Sequence, residues 1–169
     1  EPLWMMGVKG PSRSSARKYE AIEPAALKEM LGRLQSNWSG ATFLDLGCGK
    51  GRALVVAAEA GFGQVVGVEL SGKLAKLARR NLSKLGLVNA HVVHGDALEA
   101  TFDVNDLVLY MYNPFGPAIM QRVAENIATA RIPPKYIVYF NPFYPEPITG
   151  LARYELRVDD SKVKVWSRL

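Results

Sequence analysis

Short apolar segments alternate with helical segments along most of the 169-residue chain, and this alternation limits the fold more than any other feature. Apolar runs of strand length lie at 41–46, 64–70, 90–94, 106–112 and 135–140. Helical patterns lie at 52–60, 71–86 and 117–130, and another starts after Pro24 and ends near Ser36 or Asn37. Strands and helices that alternate at these lengths predict parallel strands joined by right-handed crossovers.

The last part of the chain departs from this alternation. Two apolar segments, 151–158 and 162–167, are separated by a polar turn too short for a helical crossover, so they predict an antiparallel hairpin. The other strands are nearly continuous in Val, Leu and Tyr, as a sheet covered on both faces requires. The predicted fold class is α/β: a doubly wound, mostly parallel seven-stranded sheet with a C-terminal antiparallel β-hairpin and helices on both faces.

Composition bounds the class of protein. With 49% hydrophobic and 22% charged residues, we expect one globular domain over 19–169, preceded by a flexible arm over 1–18. Cys48 is the only cysteine and the chain has 2 histidines, so neither a disulfide nor a metal site is predicted. A reducing, cytoplasmic location is expected, with no membrane segment.

The net charge of +5 comes from one segment, residues 71–86, which carries only cations. These cations are Lys73, Lys76, Arg79, Arg80 and Lys84. Leucines and alanines interleave with them at helical spacing, which predicts an amphipathic helix. Its charged side is either a solvated outer face or a surface for nucleic acid or another acidic partner.

The first apolar run leads into Asp-Leu-Gly-Cys-Gly-Lys-Gly, residues 45–51, where the strand turns into the next helix. In open α/β sheets ligands bind at this edge, and glycines let a ligand approach the main chain. Arg52 stands where a dinucleotide fingerprint needs its third glycine, and no Lys-Ser or Lys-Thr closes a phosphate-binding loop. The segment is therefore either a site for another cofactor or only a tight turn.

An acid followed by three alternating glycines resembles the first motif of the class I S-adenosylmethionine-dependent methyltransferases. The residues are Asp45, Gly47, Gly49 and Gly51. That family has five parallel strands and a terminal β-hairpin, and the resemblance implies S-adenosylmethionine as cofactor. This cofactor has an ammonium and a sulfonium, and Asp45 would organise the loop around its cationic amino-acid moiety.

Two more acids match the family's cofactor site at the ends of the second and third strands. The resemblance implies that Glu69 accepts hydrogen bonds from the ribose hydroxyls, with Leu70 beside it. It likewise implies that Asp96 contacts the adenine amino group, with Ala97 beside it. Tyr19 corresponds to a tyrosine that closes over the methionine end of the cofactor in similar proteins.

The fourth run ends in Tyr-Asn-Pro-Phe-Gly, residues 112–116, which resembles the acceptor signature of amino methyltransferases. By that resemblance Asn113, Pro114 and Phe115 are catalytic, and Asn113 also borders the cofactor. Hydrogen-bond acceptors aimed at an amine hold its lone pair toward the methyl group and stabilise the charge that grows on nitrogen. The signature's second proline is missing, so protein lysine, a nucleobase and a small molecule all stay open as acceptors. The alternative for the segment is a plain turn.

A second Asn-Pro-Phe follows the fifth run at 141–143. The fourth and fifth strands are neighbours in the predicted topology. The two turns are therefore expected either to form an aromatic wall around an acceptor pocket, with Tyr112 and Tyr144 at its rim, or only to stop the strands. His91 and His94 fall on opposite faces of the third strand and are not predicted to be bases.

Residues 19–143 resemble in particular a group of small bacterial class I methyltransferases of undefined function, which share the runs at 45–52, 67–71 and 112–116. The predicted function is therefore S-adenosylmethionine-dependent methyl transfer, with N-methylation of an amine acceptor by direct in-line displacement. The alternative is a non-catalytic S-adenosylmethionine-binding protein that acts as partner or activator of another subunit.

Overall fold

A computed structural model describes residues 22–169; the predicted arm and Tyr19 lie outside them. The strands are β1 (Thr42–Leu46), β2 (Gln64–Glu69), β3 (Ala90–His94), β4 (Leu107–Tyr112), β5 (Tyr136–Phe140), β6 (Tyr154–Asp159) and β7 (Val163–Arg168). The helices are α1 (Pro24–Leu34), α2 (Arg52–Glu59), α3 (Gly72–Lys84), α4 (Pro117–Thr129) and α5 (Glu146–Thr149), with a 3₁₀ turn at Ala97–Glu99. Within 22–169, no helix has the length and apolar character needed to cross a bilayer.

Local chemistry explains where these elements begin and end. Proline occupies the first helical position of both α1 and α4, where its missing N–H costs no hydrogen bond. The Ser71 hydroxyl caps α3 by accepting from the Leu74 amide at 3.4 Å. α1 ends earlier than the sequence predicts, because Gln35 is already extended. The short helix α5, in a proline-rich segment, was not predicted.

The sheet has the strand order β3-β2-β1-β4-β5-β7-β6. β1 to β5 are parallel, β7 runs antiparallel to β5, and β6 pairs antiparallel with β7. The predicted parallel sheet and C-terminal hairpin are therefore confirmed. The strand order reverses at β1: β2 and β3 lie on one side of β1, and β4 and β5 lie on the other. In open α/β sheets the crevice at such a reversal, here at the carboxyl ends of β1 and β4, is the expected place for a ligand.

Two apolar cores cover the two faces of the sheet. On β1, Phe43 packs in the core that includes residues of α1, α2 and α3. Leu44 and Leu46 point the other way, into the core that includes residues of α4, α5 and the 3₁₀ turn. Successive side chains of a strand alternate between faces, so a strand buried on both sides is apolar throughout. This confirms the predicted double-sided arrangement.

Candidate active site

The glycine turn after β1 has a backbone that only glycine adopts easily. Gly47, Gly49 and Gly51 have φ values of 85°, 55° and 83°. The amides of Gly47 and Cys48 both donate to the Val68 carbonyl, at 2.8 and 3.1 Å. The turn therefore folds back over the end of β2 before α2 begins.

Gly67 on β2 makes room for this turn. A Cβ at this position would lie 2.6 Å from Cys48 Sγ and 2.7 Å from Leu54 Cδ1, closer than packed atoms approach. Sequence reasoning did not assign Gly67 a role. A glycine inside a strand is nevertheless a signal that another part of the chain comes close to the backbone.

The Glu69 carboxylate ties the turn to the start of α3. Its Oε2 accepts from the Gly49 amide and its Oε1 accepts from the Ser71 amide, both at 2.8 Å. Burial raises the pKa of Glu69, and these two hydrogen bonds oppose the rise. Each carboxylate oxygen keeps a second lone pair, so contact with ribose hydroxyls stays a prediction beside this structural role. Sequence reasoning missed the part played by Ser71.

Asp45 is the most isolated charge in the site. Its side chain is 3% exposed, and the two influences on its carboxyl, burial and the nearby Glu69, both disfavour the charged form. Burial raises the pKa of Asp45 well above its ordinary value, and the nearby charge of Glu69 adds to the rise. A buried carboxylate without a cation beside it is suited to a positively charged ligand.

The remaining predicted cofactor residues lie at the ends of β2 and β3. Asp96 Oδ1 accepts from the Leu98 amide at 3.0 Å and so caps the 3₁₀ turn, which begins at the buried Ala97. The Leu70 carbonyl lies 3.2 Å from His94 Nε2. Because β2 and β3 are adjacent and parallel, these residues share one edge of the sheet with Glu69. Their contact with adenine stays a prediction.

Asn113 ends β4 in a left-handed backbone conformation, with φ of 38°. Its amide donates to the Phe140 carbonyl at 3.1 Å, while its side-chain Oδ1 is buried and has no hydrogen-bond partner in the described structure. Such buried acceptors are rare because each loses its bonds to water. Asn113 as a residue is 9% exposed, but its Oδ1 is itself buried, and nothing in the described fold uses this acceptor oxygen.

Pro114 brings this turn against the glycine turn. A Cβ at Gly47 would lie 3.0 Å from Pro114 Cβ, which places the end of β4 in van der Waals contact with the predicted cofactor loop. β1 and β4 also pair directly, with Asp45 opposite Tyr110. The structure therefore brings together Asp45, the glycines, Glu69 and Asn113 at the carboxyl ends of β1, β2 and β4.

The two Asn-Pro-Phe turns differ in what they present. Phe115 is 5% exposed and packs in the core beneath α4, so its ring does not lie open beside Asn113. The catalytic role predicted for Phe115 stays a prediction, and in this structure its ring lies in the core rather than open to a ligand. Asn141 repeats the left-handed conformation, with φ of 49°, but the Phe143 that follows it is 56% exposed. The exposed aromatic ring therefore belongs to the second turn.

A family profile described as a methyltransferase domain matches residues 43–130, which is more than half of the chain. The chain belongs to the methyltransferase domain family. Membership confirms the predicted class at the level of the family: a class I methyltransferase, with S-adenosylmethionine as cofactor. The matched residues include the glycine turn, Glu69, Asp96 and Asn113.

Curated relatives of this methyltransferase domain match only in part. A probable cobalt-precorrin-6B C(15)-methyltransferase (decarboxylating) of Sulfolobus acidocaldarius is 38% identical over 72 residues, covering 40% of this chain and 36% of the relative. An arginine N(omega)-methyltransferase of Streptomyces achromogenes is 39% identical over 69 residues, covering 41% of this chain and 19% of the relative. The chain thus spans well under half the length of these relatives.

Solved structures share the fold over most of the chain. An RNA methyltransferase from Salinibacter ruber, in complex with S-adenosyl-L-homocysteine, superposes with a TM-score of 0.65 at 22% identity, covering 87% of this chain and 91% of that one. The 23S rRNA methyltransferase ErmE superposes with a TM-score of 0.66 at 17% identity, covering 89% and 70%. At these identities the likeness shows the fold of the methyltransferase domain.

Proposed function

We propose that this methyltransferase binds S-adenosylmethionine at the carboxyl ends of β1, β2 and β4 and transfers its methyl group to an amine acceptor. The observation that carries the proposal is the buried Oδ1 of Asn113, which has no donor in the described structure and belongs to a turn in contact with the glycine turn. A buried acceptor oxygen is costly unless a ligand uses it.

The groups at this edge suit that cofactor. The carboxylates of Asp45 and Glu69 and the Oδ1 of Asn113 are all acceptors or anions. In the described structure no lysine or arginine forms an ion pair with either carboxylate, and only His94 acts as a positive charge near Glu69. A ligand that carries an ammonium, a sulfonium and ribose hydroxyls supplies the missing positive charge and donors. Asp45 would bind the ammonium, and Glu69, already ordered by two amides, would receive the ribose.

When bound, S-adenosylmethionine supplies a methyl group on a good leaving group: the acceptor nitrogen forms the N–C bond as the C–S bond breaks and its electron pair stays on sulfur. The Asn113 Oδ1 would accept a hydrogen bond from the acceptor N–H, which directs the nitrogen lone pair toward the methyl group. The same oxygen would stabilise the positive charge that grows on nitrogen. The methylated ammonium then loses a proton to solvent.

Three observations support an amine acceptor. The Tyr-Asn-Pro-Phe run resembles amino methyltransferase signatures, Asn113 offers an unused amide oxygen, and one relative is named an arginine N-methyltransferase. Another relative is named a C-methyltransferase, so the test must identify which atom of the acceptor receives the methyl group. The acceptor molecule, the site roles of Pro114 and Tyr19, and a cytoplasmic location stay predictions.

The test compares two glycine substitutions at left-handed positions. Asn113→Gly removes the amide side chain without backbone strain. Asp106→Gly removes a carboxylate that pairs with Lys135, also at a left-handed position with φ of 50°, at the opposite end of β4. With methyl-labelled S-adenosylmethionine and pools of RNA, protein and small amines, we expect Asn113→Gly to lower turnover about 100- to 1000-fold, as loss of one transition-state hydrogen bond does. Asp106→Gly should stay within a few-fold of wild type.

The cofactor affinity decides what each outcome means. If Asn113→Gly keeps cofactor affinity within a few-fold and loses turnover, the oxygen acts in transfer. Equal turnover of the two variants would remove Asn113 from the mechanism. Tight binding of S-adenosylmethionine by the wild-type chain, with no transfer to any pool, would instead support the non-catalytic partner.

A further inference from the structure

The cations of α3 form one continuous face. Lys73, Lys76, Arg80 and Lys84 follow the spacing i, i+3, i+7 and i+11, which keeps side chains on one side of a helix, and all four are exposed. The buried residues of α3 lie on the opposite side, against β2 and β3. We call these four residues the basic face. The four cations of the basic face account for most of the chain's net charge of +5.

The basic face is electrostatically unfavourable to the helix that carries it. The pairs Lys76–Arg80 and Arg80–Lys84 place like charges four residues apart on the helix, which destabilises it. The first turn of α3 has no acid and carries Lys73 near the positive end of the helix dipole. Among residues 22–169, no carboxylate forms an ion pair with Lys76, Arg80 or Lys84. A polyanion bound along this face would relieve the repulsion.

A cavity of about 550 Å³ adjoins the basic face at Lys84. Lys84 and Asn81 of α3 line one side, and Lys50 and Arg52 of the glycine turn and α2 line another. Its walls also include Pro24, Val55, Val56 and Leu85, and Glu59 is the one acid in a lining with three cations. The lining also includes Gly51, so the cavity borders the glycine turn of the proposed site, whereas Asp45, Glu69 and Asn113 are not among its lining residues.

We infer that the basic face and this cavity bind single-stranded nucleic acid, with one unpaired nucleotide in the cavity and the adjoining phosphates along Lys76, Arg80 and Lys84. The apolar walls can pack against a base and sugar, and the lining cations Lys50, Arg52 and Lys84 can contact phosphates. A volume of about 550 Å³ is large enough for one unpaired nucleotide. The surface binds this ligand whether or not nucleic acid is also the methyl acceptor.

Two other polyanionic partners fit less well. A membrane-bound amphipathic helix inserts its apolar side into the lipid, but the apolar side of α3 is buried in the protein core. An acidic protein segment would pair with the basic face, yet it has no use for a cavity with apolar walls beside it. Both remain outcomes of the test.

The test measures binding of a fluorescein-labelled single-stranded RNA to the full chain by anisotropy, at several salt concentrations. The triple variant Lys76→Gln, Arg80→Gln, Lys84→Gln removes the centre of the basic face. Each single-strand phosphate contact contributes about 0.7 to the slope of log K against log salt, so the slope should become shallower by about 2. If the affinities of wild type and triple variant become equal near 1 M salt, this slope difference over one decade of salt lowers the affinity of the variant at 0.1 M about 100-fold.

The matched control removes the same charge elsewhere. Arg122→Gln, Arg131→Gln and Lys162→Gln neutralise three exposed cations on α4 and in two loops. We expect this triple variant to keep the wild-type slope. An equal loss in both triple variants would show a net-charge effect only and overturn the inference, as would absence of binding by the wild type.

Two further arms separate the partners and the two sites. RNA in duplex form should bind more weakly than the single strand; equal binding would contradict the role of the cavity. Polyglutamate or anionic vesicles that bind as tightly as RNA would overturn nucleic acid as the partner. S-adenosylmethionine affinity should be unchanged in the basic-face variant, so failure of one proposal is distinguishable from failure of the other.

Discussion

Replacing the buried carboxylate at the end of β1 should have opposite effects on stability and on cofactor affinity. Asp45 is 3% exposed, and both influences on its carboxyl, burial and the nearby Glu69, disfavour the charged form. In the ligand-free protein its charge is therefore uncompensated, whereas in the cofactor complex it would face an ammonium. Asp45→Asn keeps the shape and removes the charge.

The stability effect has a defined pH dependence. Burial, with a contribution from Glu69, raises the pKa of Asp45 in the folded protein. A raised carboxyl pKa stabilises the fold most below the unfolded value of about 3.9, and that contribution is lost as pH rises through the folded pKa. The asparagine in the Asp45→Asn variant never ionises, so its advantage over wild type in the free energy of unfolding should grow between pH 4 and pH 8.

A buried charge without partners costs more than the roughly 1–3 kcal/mol of an unpaired neutral group, so we expect the variant to gain at least about 1 kcal/mol in the free energy of unfolding. For a chain of this size that gain corresponds to about 2–4 °C in Tm.

The affinity effect has the opposite sign. A hydrogen bond to a charged group contributes about 1.5–3 kcal/mol, which corresponds to a loss of about 10- to 150-fold in S-adenosylmethionine affinity. Calorimetric titration gives the affinity, and thermal melts of the ligand-free protein at pH 5 and pH 8 give the stability. Glu29→Gln, an exposed carboxylate on α1, is the control and should change neither. The reasoning is refuted if Asp45→Asn binds within two-fold of wild type, or if it melts lower than wild type by the same amount at both pH values.

Two further predictions concern the packing around the glycine turn. Gly67→Ala forces a Cβ to within 2.7 Å of Cys48 and Leu54 side-chain atoms, so we expect about 1–3 kcal/mol of destabilisation and weakened cofactor binding. Gly32→Ala on α1 meets nothing within 4 Å and should stabilise by up to about 1 kcal/mol; equal Tm values for the two variants would contradict the packing argument. Burial, with added charge from Asp45 and Glu69, raises the pKa of the Cys48 thiol, so iodoacetamide should alkylate it at least about ten times more slowly in the folded than in the urea-unfolded chain. Equal alkylation rates would show that Cys48 is open to solvent.

The sequence predicts the inner strands β1, β2, β4 and β5 well because they are buried on both faces. Each such strand must be apolar throughout, and the turns between them need glycine or proline, so both signals are local. The strand predicted at 90–94 coincides with β3. For the other strands, each observed end lies within three residues of the predicted end. β6 differs most, starting at Tyr154 where 151 was predicted, because it is an edge strand with exposed side chains and gives a weak apolar signal.

The side-chain details of the site could not be predicted in the same way. The exposure of Phe115 and Phe143 depends on which ring α4 covers, and identical Asn-Pro-Phe runs carry no information about that. The use of both Glu69 oxygens by the Gly49 and Ser71 amides depends on how two loops meet, which spacing along the chain does not encode. Long-range packing thus decides these roles, whereas the positions of Asp45 and Asn113 follow from strand ends alone.

The most direct test of a cofactor site at the carboxyl ends of β1, β2 and β4 is calorimetric titration of the full chain. S-adenosylmethionine and S-adenosylhomocysteine are titrated first, with NAD and ATP as comparisons. The account predicts saturable one-to-one binding of the first two and none of the others. Binding of NAD or ATP without either of the first two would contradict the account, because the glycine turn would then hold a different ligand.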